Sequence, residues 1–303
     1  MGTSIIFYLF FAGVAGGAYL AAAAYDVLFG PARFGGPYSK RSGLRHVDSF
    51  MQTGYAVAPV AAAFAGAFLL ADMGRADRVA QVLISPFSSL SSFGAASLAG
   101  FALASVATLV VLLVCKMPGL GLGLLKAAGC VLALFTIGYT GFLLMGLKAH
   151  PFWDNPLLPV LFLVSSLCSG ISACLIAGLV AKPGGRSPAD DWFWRLLSVL
   201  MLIELLVLGA FVAVGWLHGT PASQASVSRL VVGDMAPLFL LGVVVLGLIA
   251  PLASHVHIRG MRKNGAILYA SICELSGALL LRAVIVMASV RALDVALLCY
   301  TSL

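Results

Sequence analysis

Apolar residues run along the chain in about eight stretches, separated by short segments rich in glycine, proline and basic residues. We predict membrane-spanning helices over residues 4–29, 49–71, 90–115, 123–147, 156–181, 192–217, 235–256 and 266–289. At about 1.5 Å per residue, each stretch crosses the roughly 30 Å hydrocarbon core of a bilayer. A membrane β-barrel would instead show short strands of alternating polarity. The predicted fold class is therefore all-α, a polytopic membrane protein.

The predicted helices fall into two sets of four, because the proline-rich segment Pro151–Pro159 lies midway along the chain. We expect an N-terminal four-helix bundle in residues 1–150 and a C-terminal four-helix bundle in residues 151–303. In the first helix, Gly13 and Gly17 form a GxxxG pair, which lets another helix approach closely. For this pair, helix packing within the chain is favoured over a dimer seam.

The basic residues predict how the chain is oriented. Twelve flank the helix ends on one side of the membrane: Arg33, Lys40, Arg41, Arg45, Lys116, Lys126, Lys182, Arg186, Arg195, Arg259, Arg262 and Lys263. Five lie on the other side: Arg75, Arg78, Lys148, Arg229 and Arg291. Because positive charge is retained in the cytoplasm, we predict a multi-pass protein of the cytoplasmic membrane with both termini on the extracytoplasmic side.

Composition narrows the class of function. Hydrophobic residues make up 61% of the chain and charged residues only 10%, which excludes an ordinary soluble domain. The net charge of +7 does not indicate nucleic-acid binding, because the basic residues lie in the loops between spans. None of the six cysteines forms a CxxC pair, and most lie in or beside apolar runs. We interpret them as buried small side chains and predict no metal site.

Three ionisable residues stand deep inside the apolar stretches of the second half: Glu204, Glu274 and Arg282. A charge at membrane depth is costly unless a partner or water compensates it, so such residues are candidates for function. Glu204 is expected near the middle of the bilayer and Arg282 somewhat farther out. A structural pairing and a proton pathway are equally consistent with the three.

A second polar group is predicted at the outer ends of the first four helices. Helix direction brings these residues to that side: Tyr8, Asp72, Arg75, Tyr139, Lys148 and His150. A quinone headgroup needs hydrogen-bond donors, an apolar slot and a group that exchanges protons, and this set offers them. Tyr139 is either such a donor or an interfacial anchor. Asp72 and Arg75, three residues apart, either form an ion pair that holds the loop or place a carboxylate for proton exchange.

Haem ligation is not expected. The histidines all fall near the ends of predicted helices: His46, His150, His218, His255 and His257. Two axial ligands would have to face each other from within the bundle. The chain also shows no phosphate-binding glycine loop and no nucleophile with its base. Any redox cofactor is therefore expected on a ligand or on a partner.

Five segments carry a resemblance to a known family: residues 11–20, 72–75, 85–89, 139–144 and 151–159. They form a Gly/Ala-rich first helix, an Asp-Met-Gly-Arg turn after the second helix, a Ser-Pro start to the third, and a long motif from Tyr139 onward. In this order they resemble the membrane subunits of polysulfide reductase, the NrfD type. The resemblance covers most of residues 5–175 and is weaker through the second half, where Glu204 and Arg282 belong to it.

This resemblance implies eight helices in two bundles, no haem, and a quinone headgroup near the outer surface of the first bundle. It also implies two partners, a four-cluster iron–sulfur subunit and a catalytic subunit that often contains molybdopterin. The family tyrosine beside the quinone corresponds to Tyr139, and the loop aspartate to Asp72. Family members with a well-defined site carry a histidine near the start of helix 1. This chain has none there, so Thr3, Ser4 or Tyr8 takes that place or the quinone binds differently.

The sequence therefore predicts the quinol-exchanging membrane anchor of a respiratory oxidoreductase. Menaquinol would lose its protons through Asp72 and deliver electrons to the iron–sulfur partner, which docks on loops 72–90 and 147–156. The expected quinone contacts are Tyr139, Tyr8, Ser4, Arg75, Lys148 and His150. Iron–sulfur clusters and molybdopterin are expected only in the partners.

Two other classes of function remain. A secondary transporter would bind its substrate near the midplane, at Glu204, Glu274 and Arg282. It is disfavoured because the two halves show no matched pair of interrupted helices. The other alternative is a scaffold that has lost its quinone pocket, which the missing histidine in helix 1 keeps open.

Overall fold

The protein is described by a computed structural model over residues 3–29, 49–73, 90–114, 120–147, 149–181, 188–257 and 263–290. These residues contain no β-strand, and the prediction of an all-α polytopic membrane protein is confirmed. The helices are α1 (Thr3–Phe29), α2 (Ser49–Met73), α3 (Leu90–Val114), α4 (Leu120–Met145), α5 (Leu157–Ala181), α6 (Pro188–Leu217), α7 (Pro221–Val231), the π-helix Leu238–Ile249, α8 (Ala250–His257) and α9 (Lys263–Ala288). In this part of the chain, α1 to α6 and α9 are the seven helices long and apolar enough to span a membrane.

The stretch predicted as a seventh span, 235–256, takes a different form. It consists of the π-helix followed directly by α8, and its apolar part, Leu238–Ser254, is shorter than the other spans. Before it lies the unpredicted helix α7. The hydroxyl of Thr220 caps α7 by accepting a hydrogen bond from the backbone N–H of Ser223, and Pro221 follows the cap. Both are standard signals of a helix start.

Helices α1, α5 and α9 form the centre of the molecule. Their apolar segments are 78%, 67% and 61% buried, against 22–39% for the other four long helices, which face the lipid. Helix α1 contacts α2, α4, α5 and α9. The contact between α1 and α5 links the parts of the chain before and after residue 150. The division into two four-helix bundles at that residue stays a prediction.

Glycines bring α1 and α5 into backbone contact. A Cβ atom at Gly17 would overlap the carbonyl group of Ser166, and one at Gly170 would overlap the backbone of Gly17. The GxxxG pair in α1 thus serves packing within the chain, as the sequence favoured.

Candidate functional site

Arg282 of α9 lies at the junction of α1, α5 and α9 and is fully buried, with 0% exposure. Its Nη1 donates to the carbonyl oxygen of Ala278 at 2.8 Å and to Ser165 Oγ at 3.3 Å. Its Nη2 donates to Ser166 Oγ at 3.0 Å. Two neighbouring serines of α5 therefore hold the guanidinium, which the sequence did not reveal because they stand among many other small residues.

The surroundings of the guanidinium are shaped to admit it. Gly13 of α1 leaves the necessary space, since a Cβ there would lie 2.6 Å from Arg282 Nη2. The rings of Phe10 and Phe162 stand 5.9 and 5.6 Å from the guanidinium carbon, within cation–π range. Arg282 is thus held by hydroxyls and aromatic rings from both halves of the chain.

Two carboxyl groups lie close to this arginine. Glu204 of α6 and Glu274 of α9 are 3% and 2% exposed, and both are near enough to Arg282 for electrostatic interaction. The structure therefore brings together the three ionisable residues that the sequence singled out. Among the described residues, Oε2 of Glu204 and both carboxyl oxygens of Glu274 have no hydrogen-bond partner. Cys168 of α5, which the sequence analysis treated only as a small buried residue, lies against both.

A narrow crevice reaches these carboxyl groups from the π-helix. It is lined by Glu204, Glu274, Gly277 and Ala278, and by Val243, Gly247 and Leu248 of the π-helix. It holds no space for a water molecule. A Cβ at Gly247 would lie 2.7 Å from the Cα of Gly277, so the π-helix and α9 are in close contact here. π-Helices occur frequently at functional sites.

The first four helices place two tyrosines together at the predicted outer side. Tyr8 of α1 is 2% exposed and Tyr139 of α4 is 6% exposed, and they are near enough to interact electrostatically. The Tyr8 hydroxyl has no hydrogen-bond partner among the described residues. Apolar side chains, including Leu9 and Leu144, surround the pair.

The ring of Tyr139 owes its position to a glycine on the facing helix. A Cβ at Gly94 of α3 would overlap this ring, and Phe93 packs beside it with the ring centroids 6.4 Å apart. Gly138, in contrast, faces open space. The glycine that makes room for Tyr139 is therefore not one of its neighbours in sequence, and no local pattern identified it.

The other predicted quinone contacts are more dispersed. Asp72 is exposed at the end of α2, and Ser4 is half-buried in the first turns of α1. The ring of His150 hydrogen-bonds Ser289 Oγ at 2.7 Å and stacks on Trp153 at 4.2 Å between centroids. Arg75 and Lys148 lie outside the described residues, as does most of the predicted docking loop 72–90.

A further polar cluster lies toward the opposite ends of the same helices. Asp26 of α1 forms an ion pair with Lys126 of α4, and Lys126 Nζ stands 5.4 Å above the ring of Tyr55. Nearby, the hydroxyls of Tyr19 and Thr108 are hydrogen-bonded at 2.9 Å. The sequence had identified Lys126 only as an orienting charge, because its partner is 100 residues away.

Comparison with known proteins gives a consistent picture. The family model described as "Polysulphide reductase, NrfD" matches residues 1–293. Protein NrfD of Escherichia coli is 35% identical over 153 residues, which cover 50% of this chain and 48% of that protein. The C subunit of polysulfide reductase from Wolinella succinogenes is 34% identical over 167 residues, 54% of this chain and 49% of that protein. The NrfD homologue of Haemophilus influenzae is 32% identical over 155 residues, 50% and 48%. The matched region thus spans about half the length of each relative.

Proposed function

Because the chain belongs to the polysulphide reductase NrfD family, as its motifs predicted, we propose that it is the membrane subunit of an oxidoreductase complex. In this role it exchanges electrons between menaquinol and a partner iron–sulfur subunit, which in turn serves a catalytic subunit of the molybdopterin class. The Wolinella relative is named as one lettered subunit of a polysulfide reductase. The distribution of basic residues supports the cytoplasmic membrane, with both termini outside.

The observation that carries the proposal is the unpartnered hydroxyl of Tyr8 beside Tyr139. A buried hydroxyl without a partner costs about 1–3 kcal/mol. A quinone oxygen placed between the two tyrosines would accept that hydrogen bond, and the surrounding leucines would contact the apolar part of the molecule. The residues present therefore fit a quinone headgroup, and Tyr8 supplies the polar contact that a histidine supplies elsewhere in the family.

Bound menaquinol would supply two electrons and two protons. Tyr139 and Tyr8 would hold the headgroup by hydrogen bonds, with Ser4, Arg75, Lys148 and His150 as further proposed contacts. Asp72 is exposed on the same side and would pass protons to water. The iron–sulfur partner would dock on loops 72–90 and 147–156, above the two tyrosines.

The cluster of Glu204, Glu274 and Arg282 supports a second part of the proposal, a proton pathway through the membrane. Its carboxyl oxygens without partners are able to accept and release protons. The same cluster is where a transporter would bind its solute. The crevice beside it has no room even for water, which favours protons over a larger substrate.

Removing one tyrosine hydroxyl tests the quinone site. We expect Tyr8→Phe and Tyr139→Phe each to lower quinol turnover of the assembled complex by about tenfold, the effect of one lost hydrogen bond of about 1.4 kcal/mol. Tyr8→Phe should leave thermal stability unchanged or slightly higher, because it removes an unsatisfied group. Tyr55→Phe is the matched control, since its buried hydroxyl also lacks a partner among the described residues but belongs to the other cluster. Wild-type turnover in both variants would remove this pair from the site.

The partner is tested by gentle purification of the chain from its native membrane. We expect an iron–sulfur subunit to co-purify, and its clusters to be reduced on addition of a menaquinol analogue. A protein that is isolated alone and moves a solute across vesicles would instead identify the transporter.

A further inference from the structure

A thiol and two carboxyl groups from three different helices converge in the core of the protein. The Sγ of Cys168, on α5, and carboxyl oxygens of Glu204, on α6, and Glu274, on α9, all lie within 4.8 Å of one another. The three residues are 0%, 3% and 2% exposed. Neither quinone binding nor docking of a partner involves this combination of donor atoms.

We propose that Cys168, Glu204 and Glu274 bind a divalent thiophilic metal ion of the zinc class. Zinc takes thiolate and carboxylate ligands at about 2.0–2.3 Å, which puts the ligand atoms of a tetrahedral site roughly 3.3–3.7 Å apart. Inward movement of the three side chains by about 1 Å reaches that spacing. The sulfur ligand selects zinc-like ions over magnesium and calcium, which prefer oxygen.

The oxygen atoms that the ion needs are free among the described residues. Both carboxyl oxygens of Glu274 and Oε2 of Glu204 lack hydrogen-bond partners, as does the hydroxyl of Ser172 on α5. Ser172 lies beside Glu274 and is fully buried, which makes it a fourth donor. The hydrogen bonds of Arg282 go to serines and a backbone carbonyl, so the arginine does not occupy these oxygens.

The charges of such a site sum to zero. The two positive charges of the ion and the one of Arg282 equal the three negative charges of the thiolate and the two carboxylates. A neutral sum matters at membrane depth, where uncompensated charge is costly. The crevice beside the π-helix is the route of access, because Glu204 and Glu274 line it. Since it must widen to admit an ion, binding is expected to be slow.

The site is tested with Co²⁺, a spectroscopic substitute for zinc, added to the purified full-length protein in detergent. One Co²⁺ should bind per molecule, with a tetrahedral visible spectrum and a thiolate-to-cobalt charge-transfer band. Cys168→Ser should abolish the charge-transfer band and weaken binding by more than about 10–100-fold, the loss typical of an outer-shell partner. Cys174→Ser is the matched control, because Cys174 is a free buried cysteine of the same helix whose sulfur contacts Ala18 instead.

X-ray absorption of the zinc-loaded wild-type protein provides a measurement that needs no variant. One sulfur neighbour together with oxygen neighbours is expected around the metal. No binding by the wild-type protein, a metal surrounded by oxygen and nitrogen only, or equal binding by Cys168→Ser would each overturn the proposal. The last two results would identify an adventitious ion only, and the first would leave protons on the two carboxyl groups. Quinol turnover is not part of either readout, so failure here is separate from failure of the quinone site.

Discussion

Replacing Arg282 by methionine is expected to destabilise the protein by about 3–5 kcal/mol, the usual result of removing one partner from a buried charged group. Methionine fills a similar volume, so the loss reflects chemistry more than a cavity. Ser165 and Ser166 lose the groups that donate to them, and the nearby carboxyl groups lose the positive charge in contact with them. Unfolding of the purified protein in mixed micelles, followed by circular dichroism, measures the change.

The matched control is Arg229→Met, which removes an arginine from the exposed pair with Asp234. Solvent screens that pair, so little change is expected. Adding Glu204→Gln and Glu274→Gln to Arg282→Met should recover a large part of the lost stability, because the uncompensated carboxylates are then absent. If the triple variant is no more stable than Arg282→Met alone, the carboxyl groups do not depend on the arginine for their charge balance.

Gly17→Ala is expected to prevent accumulation of the folded protein, at a cost of more than about 3 kcal/mol. The added Cβ would overlap the carbonyl group of Ser166, and neither backbone can move without separating α1 from α5. Gly66→Ala provides the opposite expectation from the same chemical change. Nothing lies within 4 Å of a Cβ at Gly66, so alanine should leave stability equal or higher by about 0.5–1 kcal/mol.

The measurement for both glycine variants is the amount of monodisperse protein recovered from membranes, followed by its thermal stability in detergent. Normal recovery of Gly17→Ala would show that α1 and α5 are farther apart than described. Loss of Gly66→Ala would place a contact, such as a partner subunit, on a face of α2 that is open in the isolated subunit.

Hydrophobic pattern predicted most of the long helices almost to the residue. The span expected over 90–115 is Leu90–Val114, and the one expected over 156–181 is Leu157–Ala181. These stretches end at glycine, proline or charged residues, where apolar surface stops. The π-helix was not predictable in this way, because hydropathy alone does not separate its hydrogen-bond spacing from that of an α-helix. Helix α7 was missed because its residues are largely polar and small.

The candidate sites show a similar division between what a pattern carries and what only packing reveals. Glu204 and Arg282 were identified because a charge among apolar residues is conspicuous. Their neighbours Ser165 and Cys168 were not, since many small residues in α5 look alike in sequence. Gly94 was missed for a related reason: its contact with Tyr139 joins two helices, and no local spacing records it.

The central position of α1 has a consequence for how the protein is made. A ribosome releases α1 first and α9 last, yet Arg282 of α9 packs against Gly13 of α1. The earliest segment inserted in the bilayer therefore waits, with glycine-rich surface exposed to lipid, until the final segment leaves the translocon. Quality control during biogenesis would accordingly recognise a nascent polypeptide that stops after α8 as incomplete, however well its earlier helices are inserted.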